Sequence, residues 1–212
     1  RDGGVSAAVP NNFEGYTLTM GYKYKSKYLI DVNVAYNGTD RFGKNNRFGF
    51  FPAVGVGYAI SEENFFKNVD WLEKNVQLLK VRASYGLVGS DVAAGNRYLY
   101  EQVYQQSGNY QFGDYPGDTP IIREGDLGTP NVTWEKAKKF DVGLDMNLFN
   151  NISFTIDYFL DKRYDQLVTR ADVPLVIGIG YAPSNVAKTT NQGFDGQISY
   201  QDRFGKFDFN TS

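Results

Sequence analysis

The 212-residue chain has no cysteine and no histidine. Without cysteine there is no disulfide framework, no thiolate nucleophile, and no zinc ribbon or iron–sulfur site. Without histidine the commonest general base is gone, and with it the Ser-His-Asp triad. Neither sign of charge dominates: 22 Lys and Arg stand against 24 acidic residues, a net charge of −2. The charges are dispersed, so nothing points to a nucleic-acid footprint. Long apolar runs are also missing. The longest uncharged stretch, Val173 to Ala187, holds two prolines and two glycines and falls short of the roughly 18 residues of a membrane-spanning helix. No enzymatic activity, cofactor or metal site is expected.

What is abundant is aromatic: 16 Tyr, 16 Phe and 2 Trp, with 23 Gly. The Leu, Ala, Glu and Lys richness of helical proteins is absent, and the apolar residues recur at period two. Tyr16, Leu18, Met20, Tyr22 and Tyr24 share one face, followed by Tyr28, Ile30, Val32, Val34 and Tyr36. Four further runs follow: Phe50 to Ile60, Leu79 to Leu87, Phe140 to Leu148 and Ile152 to Leu160. Two weaker ones hold Phe194, Ile198 and Tyr200, then Phe207 and Phe209. This predicts eight antiparallel strands, several near the ten residues of a membrane-barrel strand.

A soluble sandwich would alternate too. The opposite face, however, carries Asp31, Lys80, Arg82, Asp141, Asp145 and Asp157 beside glycines, which suits a wet lumen. Aromatics gather near strand ends, so Tyr22, Tyr24, Tyr28, Tyr36, Tyr58, Tyr85, Trp134, Phe140 and Tyr158 are assigned to lipid-facing girdles. Connections alternate in length: Lys25–Lys27, Thr39–Asn46, Ser61–Asn75, Gly89–Thr133, Asn150–Asn151, Thr169–Thr190 and Asp202–Gly205. Short periplasmic turns alternating with long extracellular loops are the habit of outer-membrane barrels. The exception, Ser61–Asn75, reads as a periplasmic turn with a short helix capped at Ser61-Glu62-Glu63. The first strand then runs inward, and the chain reads as an interior segment of a larger barrel, since open edges are not tolerated in lipid.

Candidate binding residues concentrate in Gly89–Thr133, where Asn96, Tyr98, Tyr100, Tyr104, Tyr110 and Tyr115 combine aromatic faces with planar polar groups, a surface for sugars or extended peptides. The same residues would equally pack the loop on itself. Asp114, Asp118, Glu124 and Asp126 lack calcium-loop spacing and read as solvated turn acids. Lys136 and Lys138 share a face with Trp134 and Phe140 near the outer rim, where they meet lipopolysaccharide phosphates or simply mark the rim.

The order of several segments resembles the SusC/RagA-type TonB-dependent transporters of Bacteroidetes. These are Tyr36-Asn37-Gly38-Thr39-Asp40-Arg41-Phe42-Gly43, Arg47-Phe48-Gly49-Phe50-Phe51-Pro52, Leu79 to Gly89, Val132-Thr133-Trp134-Glu135 and Asn191-Gln192-Gly193-Phe194-Asp195-Gly196. The resemblance implies active import of oligosaccharides or peptides across the outer membrane. It also implies a SusD-like lipoprotein lid, energy from TonB–ExbB–ExbD, and a plug domain and closing C-terminal strands not found in residues 1–212. A siderophore or cobalamin receptor, or a β-rich surface adhesion module, is the alternative.

Overall fold

The computed structural model describes residues 12–91, 98–111, 113, 118–169, 176, 178–204 and 207–211. In chain order the elements begin with β1 (Phe13–Tyr24), β2 (Tyr28–Thr39), β3 (Phe48–Ala59), α1 (Asn64–Lys67), α2 (Asp70–Asn75) and β4 (Val76–Ser90). They continue with β5 (Tyr104–Gln111), β6 (Asp118–Glu124), β7 (Glu135–Leu148), β8 (Ile152–Val168), β9 (Ser184–Phe204) and β10 (Phe207–Thr211). Eight strands form one antiparallel sheet in the order β1-β2-β3-β4-β7-β8-β9-β10, while β5 and β6 form a separate hairpin. The sheet is open, with β1 and β10 at its edges.

All eight expected strands are present, but most are longer than their alternation. β8 has 17 residues and β9 has 21. The added length is polar, as in Lys162-Arg163-Tyr164-Asp165-Gln166 and Thr189-Thr190-Asn191. A backbone ladder continues where the apolar pattern has ended, because hydrogen bonding does not depend on which side chains flank it.

The register turns the alternation into rows. Tyr22 pairs with Ile30, Ile30 with Val56, and Val56 with Ala83. The row runs on through Val142 and Tyr158 to Phe194. The opposite face carries Lys23, Leu29, Gly57, Arg82, Gly143, Asp157 and Asp195 in one such row. Since the side-chain period is two, a single-residue slip would exchange these faces. Apolar residues on the first face stay open to the outside, with Tyr22 63% and Ile198 63% exposed.

The two tight hairpin turns among the described residues lie at one end. Lys25 (φ 48°) and Ser26 (φ 57°) are the central residues of a β-turn closed by Lys27 N–H donating to the Tyr24 carbonyl at 3.0 Å. Phe149 (φ 54°) and Asn150 (φ 60°) form another, closed from Asn151 to Leu148 at 3.1 Å. Positive φ at both central residues matches the twist of the strands they join. The Ser61–Asn75 connection sits at the same end. It holds a 3-10 turn over Ile60–Glu62 and two short helices rather than one. Ser61 makes no cap: its buried Oγ has no hydrogen-bond partner among the described residues. Phe66 is buried in their place, so packing rather than capping holds the turn.

Glu63 ties this turn to the wall. Lys27 Nζ lies 2.8 Å from its Oε2, and Tyr28 Oη lies 3.4 Å from its Oε1. The Lys27 hydrogen bond holds the Glu63 carboxyl below the usual carboxylate range. A folded-state value below the unfolded one stabilises fully at neutral pH and fades as pH falls through the folded value. The parent protein should therefore lose more thermal stability than Glu63→Gln as pH falls through and below the ordinary carboxylate range. Superimposable melting-temperature profiles against pH would contradict this.

Candidate transport surface

Two clusters stand on the charged face. On the wall, the Arg82 guanidinium is shared by three carboxylates. Nη2 lies 2.7 Å from Asp157, Nη1 3.3 Å from Asp141, and Nε 3.3 Å from Asp145. Lys80 reaches Asp145 at 3.9 Å, and Thr155 Oγ1 donates to Asp145 at 3.4 Å. Gly143 makes this reach possible. A Cβ there would collide with Asp157 Oδ1 and stand 2.7 Å from the Arg82 guanidinium carbon. Beside this network, Leu29, Asp31, Gly55, Gly57 and Asp141 line a cleft of about 180 Å³. One row nearer the long loops, Asp161 Oδ2 lies 3.1 Å from Arg163 and 3.7 Å from Lys139. The sequence placed Lys80, Arg82, Asp141, Asp145 and Asp157 on this face but did not join them. The signal was there in their parity, yet contact needs the pairing register.

The second cluster closes the long-loop end. Phe42, Phe51, Val132, Trp134 and Leu167 form a buried core, with Ala35, Leu99 and Tyr100 packed against it. Trp134 meets Phe42 and Phe51 edge-on, with ring centroids 5.6 and 5.3 Å apart. Its Nε1–H donates to the Arg47 carbonyl at 3.1 Å. Asn46 donates to the Val132 carbonyl at 3.2 Å. Asn185 clamps the far side, donating to the carbonyls of Thr133 (2.9 Å) and Asp165 (2.6 Å) and accepting from Thr133 N–H. Phe51 lies over Gly49 and Gly89, where any side chain would displace its ring. Trp134 thus corrects the girdle assignment. It is 2% exposed, because β7 starts only at Glu135 and the alternation does not extend one residue beyond the ladder.

The other girdle candidates share the apolar face by register. Tyr24, Tyr28 and Tyr58 form a row at the tight-turn end, with Tyr28 and Tyr58 stacked at 5.2 Å. Tyr36 stacks on Phe48 at 5.2 Å toward the other end. Tyr22, Tyr85, Phe140 and Tyr158 lie in rows between, where Tyr85 pairs with Phe140 and Tyr158 contacts Phe194 at 5.0 Å.

The loop tyrosines divide into two groups. Tyr98 and Tyr100 meet edge-on at 6.0 Å, and Tyr100 backs onto the buried core. Tyr98 and Leu99, with Val103, Asp126 and Ala182, line a cleft of about 270 Å³. Tyr104 and Tyr110 instead stand on the β5–β6 hairpin, 63% and 56% exposed. Nothing in the period-two pattern marks this hairpin, whose strands carry no apolar alternation. Asn96 and Tyr115 lie outside the described residues, as does Asp114.

This geometry is matched among known proteins. The family described as TonB dependent receptor-like, beta-barrel matches residues 4–212. The chain belongs to this TonB-dependent receptor family. TonB-dependent receptor P39 of Formosa agariphila is 31% identical over 196 residues, covering 91% of this chain and 18% of that protein. TonB-dependent receptor SusC of Bacteroides thetaiotaomicron is 29% identical over 198 residues, covering 91% and 19%. The solved RagAB peptide transporter superposes with a TM-score of 0.78 at 22% identity, over 92% of this chain and 20% of that one. At that identity the likeness is one of fold. The chain is thus a TonB-dependent receptor barrel segment of an outer-membrane protein, in a family of receptors and transporters. It spans about a fifth of the length of these relatives.

Proposed function

We propose that the chain is barrel wall and extracellular rim of a TonB-dependent importer of oligosaccharides or peptides. One observation carries this. The same register that gathers an apolar face on one side gathers the Arg82 network on the other, as a wall between lipid and a watery lumen requires. The tight-turn end faces the periplasm and the long-loop end the outside. Open edges at β1 and β10 support completion by further strands of a larger barrel, because unpaired edges do not persist in lipid. On this reading a plug fills the lumen, TonB–ExbB–ExbD energises it, and a SusD-like lipoprotein covers the rim. The tyrosine-rich rim suits peptides and glycans alike.

The rim is where cargo is read. Tyr104 and Tyr110 are largely exposed, and each ring contact is worth about 0.5–1.5 kcal/mol beyond its buried area. The Tyr104→Ala/Tyr110→Ala variant of the full-length transporter should lose roughly five- to 150-fold in cargo affinity on those increments. Surface display and heat-modifiable gel mobility should not change. Undiminished uptake of labelled glycan and of labelled peptide by cells carrying the variant would remove these tyrosines from the binding surface.

A further inference from the structure

The apolar face ends abruptly toward the long loops. Above the register-paired Phe140 and Leu160, the same face carries Lys138 opposite Lys162. Lys136 stands two residues beyond Lys138. On β9, Thr190 pairs with Lys162, which puts Lys188 on that face too. Tyr164 confirms the side: its ring lies 5.4 Å from Lys138 Nζ and 5.9 Å from Lys136 Nζ. Among the described residues the only carboxylate in ion-pair reach of the four is Asp165, 3.5 Å from Lys136. Like charges directly opposite each other on a sheet repel, so Lys138 and Lys162 call for an anion.

Height identifies its source. Lys138 stands ten residues above Leu148, the periplasmic end of β7, and Lys162 ten above Ile152, the start of β8. About 3.3 Å per residue gives roughly 33 Å along the strand. A tilt near 40° reduces that to about 25 Å, the height of a barrel's apolar band. The lysines therefore sit at the outer headgroup level, continuous with the lipid-facing surface. We infer that Lys138, Lys162 and Lys188, with Lys136 and the Tyr164 ring, bind the phosphate of a phosphorylated glycolipid in the outer leaflet. The inference rests on the outward face meeting lipid.

The test uses full-length transporter in detergent, titrated with monophosphorylated lipid A, its dephosphorylated form, and inorganic phosphate. The parent should bind the phosphorylated glycolipid in a salt-sensitive way. Each lysine near an anionic headgroup contributes about fivefold, so K138Q/K162Q/K188Q should bind roughly a hundredfold more weakly, with K138R/K162R/K188R retaining affinity as the folding control. Dephosphorylated glycolipid should not bind, and inorganic phosphate should not compete at equal concentration. Equal occupancy in the glutamine variant would overturn the site, and competition by free phosphate would overturn the lipid as its source. A protein that stayed in buffer without detergent would instead sink the lipid-facing reading beneath it.

Discussion

Trp134→Ala should loosen the extracellular rim by about 3–5 kcal/mol, the usual cost of emptying a large aromatic from a core. The core it leaves is small: Phe42, Phe51, Val132 and Leu167 are its remaining buried members. Few neighbours can collapse into the space, which places the cost toward the upper end. The Arg47 carbonyl would also lose the indole N–H that it accepts. Hydrogen exchange should show the effect as lost protection at Thr39, whose N–H donates to the Arg47 carbonyl, and at Thr133, held by Asn185. The strand amides near the tight turns should keep theirs. Trp134→Phe should cost much less, since ring packing survives and only a hydrogen bond worth about 1 kcal/mol is lost. Unchanged protection in the alanine variant would mean that Trp134 does not hold the rim together. Loss confined to detergent-shielded amides would return it to the lipid girdle.

That contrast shows what the sequence could and could not disclose. Period two located every strand of the main sheet, because a wall between lipid and water imposes its alternation on each residue that spans it. Where that constraint stops, so does the signal. β8 and β9 continue past Leu160 and before Phe194 on backbone pairing alone, and the β5–β6 hairpin has no apolar face to betray it. Trp134 was misassigned by extending a strand's parity one residue beyond its ladder. The Arg82 network failed differently. Each of its residues was on the right face, but a shared guanidinium depends on which residues are paired across β4, β7 and β8, and on Gly143 leaving room between them. Among the rim tyrosines, composition identified the loop but not its division into Tyr100 against the core and Tyr104 and Tyr110 in the open.

Arg82→Met should destabilise the wall by about 1–3 kcal/mol, between the small value of exposed ion pairs and the 3–5 kcal/mol of fully buried ones. The intermediate figure follows from the side chains themselves: Arg82 is 34% exposed, Asp141 33%, Asp145 23% and Asp157 12%. Most of the loss comes from the carboxylates left behind rather than from the attraction removed. Asp157 should dominate, being nearest to the guanidinium at 2.7 Å and least exposed. It follows that Asp157→Asn in the Arg82→Met background should restore much of the stability, whereas Asp141→Asn should restore little. Arg82→Lys should resemble the methionine variant more than the parent, since one ammonium cannot serve three carboxylates in a planar fork. Gly143→Val should reach a similar loss by another route, driving a side chain into the space between Arg82 and Asp157. Double-mutant cycles on thermal or denaturant unfolding of the full-length transporter would measure these couplings. An Arg82–Asp157 coupling no larger than that of Arg82–Asp141 would mean that the lumen screens both pairs alike, and that the network contributes charge to the wall without contributing strength.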